Sequence, residues 1–441
     1  MVPGVAWSKA VAEWVMRWSR RGVRSLFGAR SPIVEEAGFK IPTYGVLWLL
    51  PATLAAVFAL SFLLTATASY DSENYRYLLS AELQSVAAIF AIVLTGTFVA
   101  AQVVVSATPI MMSYLPMRAF MAAVVFNVVT MAVDAVALAQ LPEAATGIAE
   151  FGINLAVVLP GEALLFTFGY VGTALLWTRP DIHLAAVLNR IDEADDVASH
   201  RKAMQALEEL GLHAGERRCV QRCQQVISSV QVAADVLLHK PDPSTDEAIA
   251  ERERSFRLLP ETLGNLGQAW ARDGLDQPVS TIASALGTIA LEYSKHDERL
   301  VGAAFRTAMT DIVRSCVRHS REAALCDFLA NKRAALDQLV GASAQRAVRT
   351  WVAAVRDEIP LCAESRSDAA GWVVDQLEVL LEAVAAHHID ASIVRDLLDS
   401  AQSWFESGGV LRHMALSGDQ TLGQAIQGAR ERLDQLKEES G

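Results

Sequence analysis

The chain has 441 residues, of which 52% are hydrophobic, and a formal net charge of −12 at pH 7. This length exceeds that of one ordinary domain, and the acidic excess argues against general nucleic-acid binding, which needs Lys and Arg to neutralise phosphates. The five cysteines are odd in number and irregularly spaced, so they imply no disulfide framework and fit a reducing cytosol.

The charges divide the sequence into an apolar part and an acidic part. Residues 1–177 contain nine Lys or Arg and ten Asp or Glu, which leaves 29 basic and 40 acidic residues for 178–441. We therefore expect three regions: an N-terminal cytosolic arm (1–43), a transmembrane domain (44–177) and a cytosolic domain (178–441).

The arm carries an amphipathic pattern in the stretch AWSKAVAEWVMRWSRRGVRSLF. Trp7, Trp14 and Trp18 recur on one face of a helix. Arginines occupy the other side, namely Arg17, Arg20, Arg21 and Arg24. This pattern predicts a helix that lies along the anionic inner leaflet of a lipid bilayer. The alternative is that the helix packs on the protein's own cytosolic domain.

Four apolar segments are each long enough to cross a bilayer as a helix, which takes about 20 residues. They are residues 44–66, 83–105, 117–140 and 151–177. Lysine and arginine are concentrated before the first segment, where seven occur, whereas the first loop has one and the third loop has none. The positive-inside rule then places both termini in the cytoplasm.

The second segment has a recognisable sequence, LLSAELQSVAAIFAIVLTGTFVAAQVVVSATP, which resembles a bacterial predicted-membrane-protein family called domain of unknown function 2254. The similarity lies in Leu78, Leu79 and Ser80 before the span, and in Thr95, Thr97, Val99, Ala100 and Gln102 within it. The resemblance implies a bacterial inner-membrane protein with four spans and a helical cytosolic domain, and it implies no established activity. The arginine that usually follows this span in the family, and a His pair at the end of the fourth, are missing here.

Residues 178–441 have the pattern of an all-α domain. Apolar residues recur at helical spacing, as at Val279, Ile282 and Leu286, and no run alternates with a period of two. The expected fold class is therefore all-α: four transmembrane helices followed by a helical cytosolic domain, either a bundle or an irregular α-solenoid without a fixed repeat.

Polar residues inside the predicted spans are the main candidates for a functional site. They are Glu162, Asp134, Asn127, Thr95, Thr97 and Gln102. An ionisable group in a span costs about 2.5–3.5 kcal/mol on insertion scales, so an idle lipid-facing position is not expected. The same residues fit two interpretations: a site for an ion or proton, or hydrogen bonds that hold the bundle together.

A metal site is a remote alternative in the cytosolic part. Cys219 and Cys223 lie one helical turn apart, and His213 lies six residues upstream. A zinc site usually needs four ligands, and cysteine is among the most commonly buried residue types, so we expect buried thiols and neither a metal nor a cofactor.

Two functional hypotheses remain open from the sequence. The first is an ion or proton channel or transporter, gated by the cytosolic helices; four spans with few polar residues would need a homo-oligomer to enclose a pore. The second is a membrane-anchored scaffold or sensor that recruits a cytosolic protein partner. The sequence has no Walker A, Rossmann, GxSxG or HExxH motif that would favour an ordinary enzyme.

Overall fold

A computed structural model describes residues 57–65, 71–107, 117–142, 148–176, 180–240, 245–364, 379–386, 390–408 and 422–440 of the chain. All regular secondary structure in these ranges is helical, which confirms the all-α class. The chain divides into two compact units, Met1–Asn189 and Arg190–Gly441.

The first unit is a helical bundle. Residues 57–65 are helical, and three long helices follow: α1 (Ser72–Ala107), α2 (Met117–Ala139) and α3 (Ile148–Leu176). Each of the three packs against the other two. The predicted spans 83–105, 117–140 and 151–177 fall on α1, α2 and α3, whereas most of the predicted span 44–66 lies outside the described residues. Helix α4 (Pro180–Glu193) crosses the boundary between the units.

Within the described residues, one helix is long and apolar enough to cross a membrane. It covers Ser72–Val99, 28 residues of α1, and a shorter apolar stretch covers Val124–Ala139 of α2. Helix α1 begins well before the predicted span, because the Asp71 carboxylate accepts a hydrogen bond from the Glu73 amide at 3.1 Å and caps the helix there.

The first unit has an inverted distribution of polarity. All but one of the exposed large hydrophobic side chains in the described part of the chain belong to it; the exception is Ile249. Its buried side chains include Asn127, Asp134, Asn154 and Glu162, each at most 2% exposed. Soluble proteins bury apolar side chains and expose ionisable ones, so this unit follows the opposite pattern.

The second unit consists of helices joined by short turns. In chain order they are α5 (Val197–Glu216), α6 (Val220–Leu238), α7 (Asp246–Asp273), α8 (Asp276–His296), a 3₁₀ helix (Glu298–Leu300), α9 (Ala303–Arg318), α10 (Glu322–Gly341), α11 (Gln345–Glu364), α12 (Ala391–Gly408) and α13 (Leu422–Ser440). Residues 379–385 are also helical.

These helices form two rows. Helices α5, α7, α9 and α11 pack one after another in the first row, and α6, α8 and α10 do so in the second. Each helix therefore contacts the helix two positions away in sequence, which is the arrangement of a stacked α-solenoid. At the C-terminal end, α12 packs on α11 and α13 on α12. Exposed ion pairs join the last two helices, Arg395 with Asp434 and Arg430 with Asp399.

Four of the turns in this stack share one backbone conformation. A residue with positive φ follows the helix at Arg218, Gly274, Ser320 and Ser343. In each case the next residue donates its amide hydrogen to a carbonyl five residues back, as Cys219 does to Ala214 at 2.9 Å. These are Schellman motifs, which satisfy the last carbonyls of a helix and reverse the chain within three residues.

Candidate functional site

The candidate site is the polar interior of the first unit, which is arranged in layers across α1, α2 and α3. In the first layer, the Tyr75 hydroxyl donates to Asn154 Oδ1 at 2.5 Å, and Asn154 Nδ2 donates to Thr65 Oγ1 at 2.9 Å. We call these three residues the Tyr75 layer. It connects α1 and α3 with the helical segment 57–65 through side-chain hydrogen bonds.

A second layer lies toward the other end of the bundle. Asn127 Nδ2 on α2 donates a hydrogen bond to Thr167 Oγ1 on α3 at 2.8 Å, and both residues are 1% exposed. We call this pair the Asn127 layer. Amide and hydroxyl groups paired in this way hold neighbouring helices together in an apolar environment.

Three carboxylates lie between the two layers. Glu82 lies seven residues after Tyr75 on α1, and Glu162 lies eight residues after Asn154 on α3. At 1.5 Å per residue, each carboxylate is about 10–12 Å along its helix from the Tyr75 layer. Helix α2 runs in the opposite direction, and Asp134 lies seven residues after Asn127 along it. The two layers are themselves thirteen residues apart along α3, about 20 Å, so the three carboxylates fall at nearly one level.

Asp134 is the most unusual member of this carboxylate layer. It is 0% exposed, and among the residues that the structure describes no group hydrogen-bonds to either carboxylate oxygen. Its charge interacts with that of Glu82 on the adjacent helix. Asp134 therefore adds no hydrogen bond to the packing of the described helices, and a buried polar group without a partner costs free energy.

The remaining predicted site residues lie in other environments. Thr95 is exposed, and its hydroxyl donates to the Ala91 carbonyl of its own helix at 2.8 Å. Gln102 is also exposed, and Thr97 is partly buried. The structure thus brings Asn127, Asp134 and Glu162 into the interior of a single chain, and leaves Thr95 and Gln102 on its surface.

The predicted membrane-interface residues lie outside the described residues. They are Trp7, Trp14, Trp18, Arg17, Arg20, Arg21 and Arg24.

Glu82 is the member of the carboxylate layer that the sequence did not reveal, because the predicted span began one residue later, at Leu83. The sequence feature that could have identified Glu82 is its spacing from Leu79 and Val86, because these three positions share one helical face. Leu79 and Val86 are 0% and 1% exposed, so the carboxylate between them is turned toward the interior. Asn154 and Thr167 were likewise detectable only as polar residues in an apolar segment.

Of the four cysteines whose side chains are described, Cys223 and Cys316 are buried, whereas Cys219 and Cys326 are partly exposed. Cys223 is 0% exposed, and burial, followed by the charge of Cys219, raises its pKa to about 11. His213 lies within 3.6 Å of the Glu216 carboxylate. In the described part of the chain, no three His, Cys, Asp or Glu side chains are grouped so that they could hold a metal ion. A raised thiol pKa also opposes the thiolate form that a metal requires.

No known protein family, curated protein or solved structure matches this chain. The resemblance of the second predicted span to the domain of unknown function 2254 therefore stays a prediction.

Proposed function

We propose that this protein is a multi-pass membrane protein that conducts protons through the carboxylate layer of its first unit, as a homo-oligomer in a bacterial inner membrane. Its four transmembrane helices would be residues 44–66, 83–105, 117–140 and 151–177, with both termini in the cytoplasm. The second unit would be the cytosolic domain that controls conduction. This organisation agrees with the resemblance to the domain of unknown function 2254.

The inverted polarity of the first unit supports a lipid environment. Val125, Val129 and Val136 of α2 are each about half exposed, whereas Asn127 and Asp134 on the same helix are buried. In water this arrangement would leave a large apolar surface exposed and would bury charges. In a bilayer the same arrangement is favourable, because the lipid surrounds the valines and the polar groups face one another.

The carboxylate layer supports proton transfer in particular, and Asp134 is the observation that carries the proposal. A buried carboxylate without hydrogen bonds, beside a second carboxylate, favours a state in which the two share a proton. Ionisable groups in the interior of a membrane protein typically mark ion or proton pathways. The three carboxylates do not form a metal-binding cluster, which favours a proton over a coordinated cation.

The exposed polar surface of α1 supports an oligomer. Thr95 and Gln102 are exposed in the single chain, and a methyl group added at Gly96 would meet no atom within 4 Å. Small and hydroxyl residues on an apolar helix allow close packing with another helix. A second copy packed on this surface would cover these polar groups and could complete an enclosed pathway.

Proton flux into proteoliposomes tests the proposal. We expect the purified protein to dissipate a pH gradient, and Asp134→Asn and Glu82→Gln each to lower the rate by about tenfold or more, because neither amide can exchange a proton as a carboxylate does. Glu73→Gln is the matched control, since it makes the same change at an exposed carboxylate of α1 outside the carboxylate layer, and its flux should equal that of the wild type.

Two results would contradict this proposal. Flux no greater than that of empty vesicles would exclude conduction by this protein. Unchanged flux in Asp134→Asn together with a lower thermal stability would mean that Asp134 only stabilises the bundle.

The two-row stack of the second unit supports a different candidate, a membrane-anchored scaffold. Stacked helical rows provide extended surfaces that bind protein partners. In that case the helices of the first unit would only anchor the protein, and the solubilised protein would be monomeric and would carry no flux.

A further inference from the structure

An open cleft in the second unit is lined by arginines in a domain that is otherwise acidic. It has a volume of about 570 Å³ and lies between the chain that enters α9 and the first turns of α11. Its charged lining residues are Arg306, Arg346, Arg349 and Glu298. Ligand pockets commonly have volumes of about 300–1,000 Å³, so the cleft is large enough for a small organic anion.

Two helices begin at the arginine cleft. Gly302 precedes α9 and contributes no side-chain cap, so the first amides of this helix are left to bind another acceptor. Gln345 and Arg346 form the first turn of α11 and line the same cleft. The amino ends of both helices carry partial positive charge and favour an anion.

The carboxylates around the cleft hold some of the arginines but leave donors available. Arg306 makes a bidentate ion pair with Asp357, through Nε at 2.5 Å and Nη2 at 2.8 Å, which fixes its guanidinium and leaves Nη1 outside this pair. Arg349 lies 3.9 Å from Asp390, with both side chains more than half exposed. Such an exposed pair is weak and can open when a stronger ligand arrives.

Arg346 is a further cation of the cleft lining. It is exposed, and the nearby carboxylate of Asp297 is itself engaged by Arg299 through two side-chain contacts of 3.2 and 3.1 Å. Glu298 is the one carboxylate in the lining. The cleft therefore presents three guanidinium groups against one carboxylate.

We propose that the arginine cleft binds a phosphate-bearing anion, either the headgroup of an anionic lipid or a soluble phosphorylated molecule. Arg346 and Arg349 would hold the phosphate oxygens from one side, and the first amides of α9 would donate from the other. Arg306, fixed by Asp357, would orient the ligand. This binding site belongs to the second unit and does not depend on proton conduction by the first.

Calorimetric titration of the full-length protein in neutral detergent tests the proposal. Inorganic pyrophosphate and glycerol 3-phosphate are the probes, the first for soluble diphosphates and the second for the phosphatidic acid headgroup. We expect at least one of them to bind, and Arg346→Gln and Arg349→Gln each to weaken that binding by about tenfold, the effect of losing a charge-assisted hydrogen bond. Preference for pyrophosphate would indicate a soluble ligand, and preference for glycerol 3-phosphate would indicate a lipid headgroup.

Two further variants separate loss of binding from loss of structure. Ala303→Asp places a carboxylate in the first turn of α9, where it favours the helix but repels an anion, so the fold should be retained while binding is lost. Arg314→Gln removes an arginine of α9 that is outside the cleft and pairs with Asp311, and it should bind the probe as the wild type does. The proposal is overturned if neither probe binds at millimolar concentration, or if Arg314→Gln weakens binding as much as Arg346→Gln.

Discussion

At the scale of single residues, the second unit contains a buried histidine that is held in its neutral form. His200 is 5% exposed, its Nδ1 lies 2.9 Å from Ser255 Oγ and its Nε2 lies 3.2 Å from the Ile191 carbonyl oxygen. Lys240 Nζ also lies 3.3 Å from Nε2, which places an ammonium group directly beside the ring. Burial, followed by the charge of Lys240, lowers the pKa of His200, while Asp196 opposes this shift.

This environment predicts a loss of stability at mildly acidic pH. Because the pKa of His200 is lower in the folded protein than its usual value of 6.5, its contribution to stability is full above that value and is lost as the pH falls below it. We expect the thermal midpoint of the second unit to fall between about pH 7.5 and pH 5.5, and to fall less in His200→Gln.

The control for this prediction is His319→Gln, which replaces an exposed histidine in a turn. Its midpoint should vary with pH as that of the wild type does. If the thermal midpoints of the wild type and of His200→Gln fall equally across this pH range, His200 is not the group that causes the loss of stability.

Some residue-scale features could not be predicted from the sequence. Lys332 lies in the polar stretch NKRAALDQ, which suggests a solvated helix face, yet Lys332 and Glu358 are both 0% exposed and pair at 2.5 Å. Their partnership joins α10 to α11, and no spacing within one helix reveals a partner on another. Burial, opposed by the charge of Lys332, raises the pKa of Glu358.

At the scale of helices, the two rows depend on close contacts that only small residues allow. Helices α8 and α10 approach so closely at Gly287 that a methyl group added there would lie 2.4 Å from the Ala335 Cβ. Asn331 also donates from α10 to the Ser280 carbonyl at 3.0 Å. This contact fixes the distance between neighbouring helices of the second row.

We therefore expect Gly287→Ala to destabilise the second unit although alanine is the better helix former. Overpacking of a tight core costs about 1–3 kcal/mol, which exceeds the gain in helix propensity of about 1 kcal/mol. Gly428→Ala is the matched control, because a methyl group there would meet no atom within 4 Å, and it should stabilise α13 by about 0.5–1 kcal/mol. Urea unfolding of both variants measures the difference, and equal midpoints would contradict the close contact.

Hydropathy predicted where the helices of the first unit lie, but it did not predict where they begin. Helix α2 nearly coincides with its predicted span, whereas α1 begins at Ser72, eleven residues before the span at 83–105. The difference arises because hydropathy detects apolar length, while a helix extends as far as its cap and its propensity allow. This extension is what brings Glu82 opposite Asp134.

At the scale of the whole molecule, the two units differ in the surface that they present to solvent. Among the described residues of the second unit, Ile249 is the one exposed large hydrophobic side chain, whereas the first unit has many. We therefore expect a fragment covering Arg190–Gly441 to be soluble and helical without detergent, as measured by circular dichroism and size-exclusion chromatography. A fragment that aggregates unless detergent is present would contradict this difference in surface between the two units.

The exposed ion pairs between α12 and α13 have a mechanical consequence for the stack. Salt screens the pairs Arg395–Asp434 and Arg430–Asp399, whereas the fully buried Lys332–Glu358 pair is shielded from dissolved ions. Because each repeat contacts only its neighbours, weakening the last contact does not loosen the centre. Raising the ionic strength therefore weakens the side-chain contacts between α12 and α13 more than the buried pair between α10 and α11.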